Sequence, residues 1–228
     1  ILEDENINLV VELIDDAHAA YYIVKKALLK GKSVVSGNKK MLAFHLNEFI
    51  EIQKNTNTTL LYDASACGSI PIIRNLEEYY DNDLLKSITG ILNGSSNYIL
   101  TKMYSENLDY NTALTQAQSL GFAESNPTLD VDGFDTLYKL IILCTHSIGT
   151  YLEPDNALNL GISNISSFDI LYAKEKRKKI KLIGQIIKLN DEQFTLFVMP
   201  KLVLRDEYIY NVENEYNGVI IEGECYDQ

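Results

Sequence analysis

The chain has 228 residues, enough for one large domain or two modest ones with a real core. Apolar residues make up 46% and charged residues 23%, the proportions of an ordinary globular protein. A formal net charge of −12 argues against nucleic acid or an anionic membrane held through a general field, and leaves small metabolites or cations bound at local sites.

In chain order, residues 7–14 read as a buried strand, apolar and rich in branched side chains. Asp15-Asp16 stand where a helix cap is expected. Residues 17–30 then show helical spacing, with Tyr21, Val24, Ala27 and Leu28 on one stripe and Gly31 as the stop. Ser33-Val34-Val35-Ser36 is a second strand. This strand–helix–strand unit is the crossover that builds parallel sheets. Residues 60–66 suggest another strand, running into the small-residue turn Cys67-Gly68-Ser69-Ile70-Pro71 and then a helix over 72–80. A strand over 85–92 meets Gly94-Ser95-Ser96, which opens a helix, and a further helix over 111–120 stops at Gly121. Residues 122–132 form a polar loop, residues 133–149 a long apolar helix and residues 166–185 a helix, while 194–204 and 219–222 read as strands. The expected class is therefore α/β followed by α+β, a remnant of a Rossmann-like parallel sheet and then a mixed-sheet domain. The expected boundary lies between residues 45 and 46.

Four features carry possible chemistry. Asn38-Lys39-Lys40 follows the second strand, where open α/β sheets bind ligands; a solvated lysine pair is the plainer alternative. Leu92-Asn93-Gly94-Ser95-Ser96-Asn97 is a strand–turn–helix junction whose free N–H groups suit an anion, or which is simply capped by Asn93, Ser95 or Ser96. Residues 121–139 hold several carboxylates and then Lys139, four residues after Asp135 on a strongly apolar helix; that pair is either an ordinary surface ion pair or a proton-handling lysine held by an acid. The turn from Asp63 to Pro71 offers carbonyls and a carboxylate to a cation, or is only a packed turn.

Other residues look plainer. His18, His45 and His146 show no metal-binding spacing. The basic run from Lys174 to Lys181 reads as a solvated connector or helix face rather than a nucleic-acid patch. Cys67, Cys144 and Cys225 are widely spaced without a CxxC pair, which indicates no disulfide framework or zinc site and suits a reducing cytoplasm. No apolar run approaches the ~18 residues of a membrane span.

Taken in order, several segments resemble the homoserine dehydrogenase family. They are Val10-Val11-Glu12-Leu13-Ile14, Gly31-Lys32-Ser33-Val34-Val35-Ser36-Gly37-Asn38-Lys39, Ile70-Pro71-Ile72-Ile73-Arg74 and Gly90-Ile91-Leu92-Asn93-Gly94-Ser95-Ser96-Asn97. Gly121-Phe122-Ala123-Glu124 through Gly133-Phe134-Asp135 to Lys139 is the most specific, and Gly161-Ile162-Ser163-Asn164-Ile165 and Ile180-Lys181-Leu182 extend the match. The resemblance implies interconversion of aspartate semialdehyde and homoserine with NADP or NAD, on the route to threonine and methionine, by a cytoplasmic homodimer that binds a small amino-acid substrate. It implies Lys139 and Lys39 as catalytic lysines, Glu124, Asp130, Asp135, Gly94 and Ser95 at the substrate, and Lys39 and Asp15 near the cofactor. It also implies a sodium site from Asp63 with the carbonyls of Ala66, Gly68 and Ile70. The family's glycine-rich phosphate turn is expected before Ile1, and a returning segment after Gln228. The 228 residues alone are therefore expected to bind NAD(P) weakly and turn over poorly. A non-catalytic dimerisation or regulatory module of the same fold is the alternative.

Overall fold

A computed structural model describes residues 1–68, 70–80, 85–190 and 193–225, apart from the side chains of residues 79 and 80. The chain divides into two compact units, residues 1–82 with 141–156, and residues 83–140 with 157–228.

The first unit opens with β1 (Leu9–Glu12), α1 (Ala17–Leu29), β2 (Ser33–Ser36), α2 (Lys39–Thr56) and β3 (Leu60–Leu61). The strands form a parallel sheet in the order β1-β2-β3, with Val10 opposite Val34 and Val34 opposite Leu60. Asp16 starts α1 by accepting the Ala19 N–H at 2.8 Å, and Gly31 ends it with φ +75°. The expected boundary at residues 45/46 falls inside α2, so the first unit runs further than the sequence reading gave it. Met41, Leu42, Leu46 and Phe49 are buried at helical spacing on α2, which packs against α1.

Two expected strands are shorter. β1 has four residues, with Val10 and Glu12 buried but Leu9 and Val11 53% and 60% exposed, so only one of its faces is covered. The strand expected over 60–66 ends at Leu61, because α3 (Asp63–Cys67) begins there, with the Tyr62 carbonyl accepting from the N–H and hydroxyl of Ser65. Ser69, in the turn that follows, lies outside the described residues. α4 (Ile72–Tyr80) matches its expectation.

The second unit contains β4 (Leu85–Ile91), α5 (Gly94–Glu106), α6 (Tyr110–Ser119), α7 (Thr128–Val131) and α8 (Phe134–Ile148), whose last turns belong to the first unit. β5 (Leu158–Asn159), α9 (Ser167–Glu175), β6 (Lys179–Lys188), β7 (Phe194–Val203) and β8 (Gly218–Gly223) follow. The sheet order is β5-β7-β6-β4-β8, antiparallel except for the β5–β7 pair, which gives the expected mixed sheet.

The helix expected over 166–185 is a helix followed by a strand. A capping box at Ser166 and Asp169 starts α9, Arg177 adopts φ +56°, and β6 takes over with Ile180, Leu182, Ile183 and Ile186 buried. The expected solvated basic run holds at Lys176 and Arg177, which are exposed, and is corrected at Lys181, which is only 1% exposed. Gly184 on β6 lets α8 approach closely: a Cβ there would lie 2.9 Å from Thr136 Cγ2.

Candidate active site

Asn93 is the N-cap of α5, and its Oδ1 accepts the Ser96 N–H at 2.8 Å. The same amide turns its other end to the acidic segment. Its Nδ2 donates to Asp130 Oδ1 at 2.6 Å and to Asp135 Oδ2 at 3.0 Å. Asp130 lies on α7, and Asp135 in the first turn of α8.

One helical turn further on, Lys139 Nζ lies 2.8 Å from Asp135 Oδ2 and donates to the Leu92 carbonyl at 2.6 Å. The Lys139 and Asp135 side chains are 12% and 7% exposed, so this is no solvated surface pair. The structure thus joins Asp130, Asp135 and Lys139 around one buried asparagine. Sequence reading offered Asn93 only as one of three possible caps; its bridging donors have no local signal, because the partners lie 37 and 42 residues away.

The turn into α8 is pinned from behind. Ile162 N–H donates to the Val131 carbonyl at 2.6 Å, Asn159 Nδ2 to the Asp132 carbonyl at 3.0 Å, and Ser163 Oγ to Asp132 Oδ1. Gly133 holds φ +86° beneath Asn159 Oδ1, where a Cβ would come within 2.6 Å. Ser95 Oγ donates to the Phe122 carbonyl at 2.5 Å, and Phe122 packs on Tyr98. These contacts set the course of the loop that carries Glu124, whose side chain is exposed and whose carbonyl accepts from Gln118 Nε2 at 3.0 Å. Gly94 lets the start of α5 approach the Glu215 carbonyl, which a Cβ would meet at 2.5 Å.

The remaining predicted residues lie in the first unit. Asp15 is exposed after β1, and Lys39 opens α2 half-buried after β2, so both sit at the carboxyl ends of neighbouring parallel strands. Those ends are locked together by a residue that sequence reading did not single out. Glu12 is 2% exposed; its carboxylate accepts from Ile14 N–H at 2.6 Å and from Ser36 Oγ at 2.5 Å. Asn38 Nδ2 donates to the Ile14 carbonyl at 2.7 Å.

Asp63 is the exposed first residue of α3, while Ala66, Gly68 and Ile70 lie at its other end, where helix carbonyls point. The Ile70 carbonyl accepts from Ile72 N–H at 2.8 Å. Among the described residues no cluster of three His, Cys, Asp or Glu is placed to hold a metal. His146 is less plain than its spacing suggested. Its Nδ1 lies 2.8 Å from the Tyr62 hydroxyl, and its Nε2 3.3 Å from Glu77 Oε1. Burial pushes the Tyr62 phenol up to about 12 and the His146 imidazole below its ordinary value.

The family model for homoserine dehydrogenase matches residues 71–228. The chain belongs to the homoserine dehydrogenase family. A homoserine dehydrogenase of Helicobacter pylori is 38% identical over 224 residues, covering 98% of this chain and 52% of the relative. One from Lactococcus lactis is 37% identical with the same coverage. The chain spans about half the length of the curated relatives it matches. Among solved structures, a homoserine dehydrogenase from Thiobacillus denitrificans superposes with a TM-score of 0.96 at 33% identity, covering all of this chain and 53% of the other. A hyperthermophilic archaeal homoserine dehydrogenase in complex with NADPH gives a TM-score of 0.85 at 28% identity, covering all of this chain and 66% of the other.

Proposed function

We propose that the chain supplies the substrate-binding and catalytic part of a homoserine dehydrogenase, which interconverts L-homoserine and L-aspartate 4-semialdehyde with NADP or NAD. The observation that carries this reading is the largely buried Lys139 ammonium, held by Asp135 Oδ2 and the Leu92 carbonyl at the start of α5. The substrate carries an ammonium, a carboxylate and a reacting oxygen. Glu124, Asp130 and Asp135 supply negative charge for the ammonium, and Gly94 and Ser95 supply the helix start for the carboxylate. Lys139 stabilises the charge that grows on the reacting oxygen and delivers its proton.

The carboxyl ends of β1 and β2, fixed by Glu12 and Asn38, fit the nicotinamide end of the cofactor. Asp15 and Lys39 are the residues there that would border it, Lys39 as the second cation of the reaction. The bound nicotinamide supplies or takes up the hydride. A sodium ion would be held by the carbonyls of Ala66, Gly68 and Ile70 at the carboxyl end of α3, with Asp63 balancing its charge. Family resemblance supports a homodimer. Cys67 and Cys144 are buried thiols outside any disulfide, which suits a reducing cytoplasm. No described helix is long and apolar enough to cross a membrane.

The test is Lys139→Ala in the full-length protein, assayed by homoserine-dependent reduction of NAD(P)⁺. A loss of about 10²–10⁴-fold in kcat is expected of a proton-delivering group. Turnover at the wild-type level would overturn the assignment.

A further inference from the structure

Lys181 is one of the largest fully buried side chains, 1% exposed on β6. Burial, reinforced by Lys179 and opposed by Glu213, pushes its ammonium down to about 8. A buried charge must find hydrogen-bond partners. Its Nζ donates to Asn97 Oδ1 at 2.9 Å and to the Val212 carbonyl at 2.6 Å, neither of them a carboxylate. Asn97 is equally buried on α5, and its Nδ2 donates to the carbonyls of Val212 at 3.2 Å and Tyr216 at 3.0 Å.

Residues 212–216 therefore form a strap along α5. Thr101 Oγ1 accepts the Asn214 N–H at 3.0 Å, where Asn214 adopts φ +55°. At the other end, Gly94 admits the Glu215 carbonyl. Positions 94, 97 and 101 lie on one stripe of the helix. The residue just before that stripe is Asn93, which bridges Asp130 and Asp135. A site that needed only packing would be filled as well by an aliphatic residue of similar volume, without the cost of burying a charge.

We propose that Lys181 is a positioning residue: by fastening residues 212–216 along the first two turns of α5 it fixes Asn93, and through Asn93 the Asp130, Asp135 and Lys139 groups. This rests on the reading of those groups as catalytic machinery, but the tie from Lys181 to the Asn93 cap is measurable without turnover.

The test is Lys181→Met in the full-length protein, followed by amide hydrogen exchange at Asn214 and at Ser96, whose N–H is held by Asn93. Exchange at both amides should rise about tenfold or more, a local loosening of about 1.4 kcal/mol. With it kcat should fall about tenfold, while KM for the nicotinamide cofactor stays within about twofold. Faster exchange at Asn214 with Ser96 unchanged would overturn the proposal, as would a wild-type kcat. If Lys181→Met does not fold, Thr101→Val loosens the strap from its far end and is read by the same amides and the same kinetic split. A wild-type protein inert toward homoserine, with both amides loosened in Lys181→Met, would remove the dehydrogenase reading and support the tie.

Discussion

The ammonium of Lys139 lies 2.8 Å from Oδ2 of Asp135, one turn earlier on α8, with both side chains largely withdrawn from water. Removing one member of such a pair leaves the other as an uncompensated charge. Asp135→Ala should destabilise the protein by about 3–5 kcal/mol. Asp135→Ala combined with Lys139→Met should be less damaging than the sum of the two single changes, by about 0.5–3 kcal/mol. Urea denaturation of the four proteins measures this coupling. Strict additivity would show that the pair is not energetically joined.

The turn between α7 and α8 tolerates nothing at Gly161. A Cβ there would stand 2.2 Å from the Val131 carbonyl oxygen and 2.3 Å from Asp132 Cα, both backbone atoms. Gly161→Ala should therefore cost about 3 kcal/mol, at the upper end for overpacking. It should also lower kcat, because the displaced turn carries Asp130 and leads into Asp135. Thermal denaturation together with steady-state kinetics checks both. An alanine variant with wild-type stability would mean that the segment over 159–163 does not brace the turn.

His146 predicts a response to acid. Burial, only partly opposed by Glu77, holds its imidazole below the ordinary histidine value of 6.5. The unfolded chain then binds more protons than the folded one between the folded pKa and 6.5, so stability rises with pH across that window. The contribution is whole above 6.5 and is lost as pH falls from there toward the folded pKa. His146→Gln removes the titrating group. The stability difference between wild type and this variant should shift against the wild type between about pH 7.5 and about pH 5.5. A difference that does not change with pH would contradict the burial of a neutral imidazole.

Where local chemistry decided the structure, the sequence was readable. Asp16 and Gly31 bracket α1, Ser33–Ser36 is the strand its branched residues suggest, and Asp135 and Lys139 share a helix face as their spacing requires. α2 carries a local signal of the same kind, with Met41, Leu42, Leu46 and Phe49 on a helical stripe. β6 is different. A lysine among lysines reads as solvated, and only Asn97 and Val212, from distant parts of the chain, make Lys181 an interior residue. The donors of Asn93 and the carboxylate of Glu12 escaped for the same reason: both act across long separations that no window of neighbouring residues reveals.

A primary ammonium is a tripod, free to spin about its carbon–nitrogen bond until something grips it. Lys139 is gripped by a carbonyl and a carboxylate, which occupy two feet and stop the rotation. The remaining hydrogen keeps one bearing in the frame of α8. An oxygen that takes that hydrogen must arrive along the same bearing, so the two grips give the proton a direction as well as a source.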